Sequence, residues 1–137
     1  MSDRIEIWLN TAAEDGIVGW GILLRWSTFS KAVTGGEAGA QVEQMALTAA
    51  RRALETLKRD LPVVLHIGTK SENPEQFLRS VRQAVATARH GSAVTCVYEP
   101  YATSPDMARA LELARQGVRD VKFAQTRATP PTEEETA

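Results

Sequence analysis

The chain has 137 residues, of which 43% are hydrophobic and 24% charged, and a formal net charge of -1. That length supports one sizeable core and leaves no room for a second, and the composition excludes a disordered or fibrous chain. With 16 Lys and Arg against 17 Asp and Glu, no global positive field draws it onto a nucleic acid, so any such contact has to be a local patch. No segment approaches membrane-spanning length, and the opening MSDRIEIW has neither a basic lead nor an apolar signal core, so a cytoplasmic location is expected. Cys96, the single cysteine, lies among Val94, Val97 and Tyr98; an intrachain disulfide is excluded, and the residue reads as a buried small hydrophobe.

Residues 4–10, RIEIWLN, alternate Ile5, Ile7 and Leu9 with Glu6, Trp8 and Asn10, the period of a strand. After the turn-forming AEDG at 13–16, a second strand carries Val18, Trp20, Ile22, Leu24 and Trp26 on one face. Gly19 and Gly21 share its other face, where something must pack close to the backbone. TFSKAVT at 28–34 returns as a third antiparallel strand before a GGEAG loop. All three tryptophans hold strand positions among apolar neighbours, which favours packing over base stacking.

From about Ala40 to Lys58 the period becomes helical, with Val42, Met45, Ala46, Ala49, Ala50, Ala53, Leu54 and Leu57 in one apolar stripe. VVLHI at 63–67 is short and β-branched, a buried strand in which a lone His66 reads as a hydrogen-bonded core residue. A second helix opens with Asn73 as its cap, Pro74 at its first position and Gln76 as the capping-box partner, and ends near Gly91 after His90. AVTCVY at 93–98 is the fifth strand. Ser104 caps a third helix, with Pro105 first, Asp106 at the positive end and Gly117 just past its last turn. The order β-β-β-α-β-α-β-α predicts a five-stranded mixed α/β sheet with helices packed on it. Residues 1–125 form the domain in this reading, and 126–137, with two prolines and three consecutive glutamates, a disordered acidic tail.

Four pieces in this order carry a family likeness: WGILLRW at 20–26, MALTAARRALETLK at 45–58, PVVLHIGTK at 62–70 and VYEPYATSPDMARALELAR at 97–115. Together they resemble the type 1 ribonuclease H domain, over about residues 4–116. The resemblance implies the ribonuclease H-like fold. It also implies a chemistry in which four carboxylates surround two magnesium ions, one activating water and one stabilising the leaving oxygen.

Carried onto this chain, the four carboxylate positions fall on Asn10, Ala46, Gly68 and Leu111, and the position of the family's loop histidine on Tyr101. None of the five family residues is retained. Glu43 lies one turn, about 4.5 Å, from Ala46 along the helix, and Glu6 about 13 Å from Asn10 along the strand, so neither substitutes directly. The helix opening that in the family touches a hybrid's minor groove is Gln41, Val42, Glu43 and Gln44 here, and a basic, tryptophan-bearing extension is missing. No metal, no cofactor and no enzymatic activity are therefore expected.

Lys70 with Arg79, Arg82 and Arg89 forms the best local basic patch, although charges belong on a solvated helix face in any case. The leading expectation is a ribonuclease H-like module that acts by binding a protein partner or a second copy of itself. The rivals are a binder of RNA/DNA hybrid or double-stranded RNA that uses the Lys70 and Arg79–Arg89 surface without cleavage, and a divergent metal-dependent ribonuclease H whose ligands have moved.

Overall fold

The computed structural model describes residues 4–88, 93–100 and 104–128. Its elements are β1 (Ile5–Glu14), β2 (Ile17–Trp26), β3 (Phe29–Ala38), α1 (Val42–Glu55), β4 (Val63–Ile67), α2 (Pro74–Ala88), β5 (Val94–Tyr98) and α3 (Pro105–Ala128). They form a mixed five-stranded sheet in the order β3-β2-β1-β4-β5, as expected. The first three strands are antiparallel neighbours, whereas β4 and β5 run parallel to β1. Among the described residues no helix is long and apolar enough to cross a membrane.

Asp15 and Gly16 make the β1–β2 turn, both at positive φ (53° and 76°), the combination a two-residue hairpin needs to match the twist of its strands. Alternation along the strands then sorts side chains to two faces. Ile5, Ile7 and Leu9 of β1 join Val18, Trp20, Ile22 and Leu24 of β2 in the core beneath α1 and α2. On the other face Trp8 and Leu23 meet Met107 and Ala110 of α3. The caps stand where expected: Gln76 N–H donates to Asn73 Oδ1 (3.3 Å), and Met107 N–H donates to Ser104 Oγ (3.0 Å).

Two expectations are corrected. β3 does not stop at 34; it continues through Gly35 and Gly36 to Ala38, paired with β2 throughout. Nor does α3 end at Gly117, which is a mid-helix residue of a helix that reaches Ala128. The two departures share one cause. A β-carbon on Gly117 would stand 2.0 Å from the carbonyl oxygen of Gly35, so the helix crosses β3 at a distance that only glycine permits. Thr34 Oγ1 donates to the Leu113 carbonyl at the same crossing, and Lys122 Nζ ties the continuation to Asp15 (2.8 Å) and Glu14 (3.1 Å) at the β1–β2 turn. The close approach foreseen at Gly19 and Gly21 is likewise to α3, at the carbonyls of Ala114 and Ala110. Residues 129–137 of the expected tail lie outside the described residues.

Candidate functional site

β4 ends before β1 does. Gly68 N–H donates to the Leu9 carbonyl (2.8 Å), after which β1 runs on to Glu14 paired with β2 alone. The notch left beside β1 is closed by the start of α1 and by α3, making a cavity of about 340 Å³ lined by Asn10, Thr11, Val42, Gly68, Lys70 and Leu111, among others. Three of the four positions marked by the resemblance, Asn10, Gly68 and Leu111, thus converge. Ala46 does not join them: it is buried in the core between α1 and the sheet, because its place in the apolar stripe of α1 turns it inward. Tyr101 lies outside the described residues.

The groups in this pocket are packed against one another. Asn10 is 5% exposed and its Oδ1 accepts from Thr11 N–H (2.8 Å). The hydroxyls of Thr11 and Thr69 lie 2.9 Å apart in a buried hydrogen bond. A β-carbon at Gly68 would fall 2.6 Å from both Asn10 Nδ2 and Met107 Sδ, so these two side chains fill the space that a residue larger than glycine would claim. At the rim, Glu43 Oε1 accepts from Ser71 Oγ (2.7 Å), and Ser71 N–H donates to the Tyr98 hydroxyl (2.9 Å). These bonds fasten the β4–α2 loop, and with it the exposed Lys70, to α1 and β5.

The remaining basic residues are elsewhere. Arg79 and Arg82 are exposed on α2 and do not line the cavity that Lys70 lines, and Arg89 lies outside the described residues. Burial pushes the Cys96 thiol above its ordinary value, against an opposing pull from the Arg82 guanidinium. Cys96 packs against the core as a small hydrophobe.

His66 is hydrogen-bonded, as expected, and is only partly buried. It stacks on Trp8 (4.9 Å between centroids, 7° between planes) with Nδ1 hydrogen-bonded to Glu99 and Nε2 3.4 Å from Glu6. Nothing local announces this carboxylate–imidazole–carboxylate row: Glu6 comes from β1, His66 from β4 and Glu99 from just past the end of β5, and the parallel order of the three strands brings them together. His90 lies outside the described residues.

No family model matches the chain. A curated relative does: ribonuclease H of Brucella ovis is 32% identical over 145 residues, a match covering 88% of this chain and 94% of that protein. The chain belongs to the ribonuclease H family. Solved structures agree on the fold. The RNase H1 called LC11, isolated from compost by a metagenomic approach, superposes with a TM-score of 0.65 at 17% identity, covering 88% of this chain and 99% of that one. A foamy viral protease-reverse transcriptase in complex with RNA/DNA hybrid gives 0.57 at 14% identity, over 85% of this chain and 20% of that one.

Family membership corrects one expectation outright. Non-enzymatic character was inferred from four positions, whereas the relative that matches almost end to end is a ribonuclease H. Missing carboxylates in one pocket bear on one metal centre and not on all that the chain can do. The narrower observation concerns the donors. Magnesium ions want anionic oxygen, yet the side chains of Asn10 and Thr11 bring neutral oxygens, that of Leu111 brings none, and Gly68 has no side chain. Among the described residues no group of three or more His, Cys, Asp or Glu is placed to hold a metal ion. A pair of divalent cations does not fit this cavity as it is lined.

Proposed function

We propose that this ribonuclease H family member is directed at RNA/DNA hybrids, and that it takes the duplex across the mouth of the Asn10–Gly68–Leu111 cavity. The observation that carries the reading is the convergence of those three positions, on strands, loop and helix far apart in sequence, into one open notch with a cation at its rim. Lys70 offers the phosphate contact there. Arg79 and Arg82 on α2 supply further positive charge away from the notch. Its relatives support the substrate class: one is a ribonuclease H, and one structural neighbour is in complex with an RNA/DNA hybrid.

The test is a titration of labelled RNA/DNA hybrid and of matching double-stranded DNA at several salt concentrations, with product analysis in magnesium and in manganese. Binding that prefers hybrid and weakens with salt is expected, because phosphate contacts release counterions. Lys70→Ala should weaken binding and reduce the salt slope by about 1. Equal affinity for hybrid and DNA, together with no hybrid-specific cleavage, would defeat the proposal.

A further inference from the structure

One edge of the sheet is open and long. β3 has ten residues, pairs with β2 on one side, and has no strand on its outer side among the described residues. Its main-chain groups on that side form a template for another strand, and β3 has neither a proline nor the short length by which edges are usually blunted. Its charged residues are Lys31 and Glu37, both exposed, and neither is in an ion pair among the described residues. They point to the same face of the sheet, opposite Leu24 and Val18 of β2. Six residues apart in extended chain, they stand about 20 Å from each other and cannot pair within one copy.

We propose that β3 is the interface of a homodimer, two copies joined edge to edge about a twofold axis at Thr34. In that antiparallel register Lys31 of each copy stands directly opposite Glu37 of the other, giving two cross-strand ion pairs. Shifting the register by two residues either way removes both. Val33 then stands opposite Gly35 of the second copy, where the ring of Trp20 already lies within 2.5 Å of where a β-carbon would be. The indole therefore supplies the apolar neighbour that the glycine lacks, and the Val33 of the second copy packs beside it. Trp20, Ile22, Leu24 and Val33 also line a groove of about 530 Å³ between α1 and β3. The twofold axis brings the two grooves side by side. The expectation of self-association thereby acquires a specific surface.

Sedimentation velocity of the full chain, up to about 1 mM, tests this through charge reversal. Lys31→Glu sets two glutamates against each other at both pairs, and Glu37→Lys sets two lysines, so each variant should dimerise about ten-fold more weakly than the native chain. An equimolar mixture of the two variants restores both pairs, and the double variant Lys31→Glu/Glu37→Lys restores them within one chain, so both should dimerise as the native chain does. Circular dichroism of each single variant confirms that it folds. A native chain that stays monomeric throughout, single variants that dimerise like the native chain, or folded variants that fail to recover on mixing would each overturn the proposal.

Discussion

On the face of the sheet covered by α1 and α2, the gap is filled by volume: Ile7, Leu9, Leu65 and Ile67 are essentially inaccessible and meet the alanines of α1 and Phe77, Val81 and Val85 of α2. Where α3 crosses the glycines of β2 and β3 on the other face, the gap is nearly absent. Gly19, Gly21, Gly35 and Gly36 meet a helix that contributes Ala110, Ala114 and Gly117, and backbone lies against backbone. The first face tolerates exchange of one apolar shape for another as long as the volume is kept. The second tolerates no added atom. The candidate site opens where the two arrangements meet, with Asn10 and Gly68 from the sheet, Val42 from α1 and Leu111 from α3.

This contrast can be broken from either side. Leu65→Ala empties a fully buried position on the α1 face and should cost about 4 kcal/mol in a urea unfolding experiment. Gly21→Ala adds one methyl group on the other face, within 2.2–2.6 Å of Ala110 and Ala114 backbone and the Leu113 β-carbon, and should cost about 3 kcal/mol. A near-neutral Gly21→Ala would show that α3 is free to lift, and the contrast would fail. Removing the helix caps, Asn73→Ala on one face and Ser104→Ala on the other, should cost about 1 kcal/mol each, independent of face.

The smallest expected effect concerns Cys96. Burial raises its pKa above the ordinary 9.0, so as pH climbs past that value the unfolded chain ionises first while the folded thiol keeps its proton. Its contribution to stability is whole below the ordinary thiol value and is lost as pH rises toward the folded value. The urea midpoint should therefore drop less between about pH 8 and about pH 10 in Cys96→Ser than in the native chain.

The contrast also explains what could be read from the sequence. Alternation gave the first two strands and their inward faces, and the paired glycines of β2 announced the close neighbour before that neighbour was known. Local rules failed where tertiary contact overrode them. Gly117 resembles a helix stop and GGEAG a loop, but each is held in regular structure by the other, and neither segment shows this alone. At the site, the family pattern led to Asn10, Gly68 and Leu111, which do converge. It placed Ala46 with them, although the stripe periodicity that makes α1 a helix carries that side chain into the core. The Glu6–His66–Glu99 row depends on the parallel order of three strands, which no short stretch of sequence encodes.

The central claim, that the cavity mouth is where a hybrid is held, is tested most directly by following backbone amide resonances of the isotopically labelled chain as unlabelled RNA/DNA hybrid is added. The account predicts shifts concentrated at Thr11, Ala12, Gly68 to Ser71 and Leu111, with β3 unaffected. Shifts confined to α2 around Arg79 and Arg82, or no shifts at saturating hybrid, would contradict it.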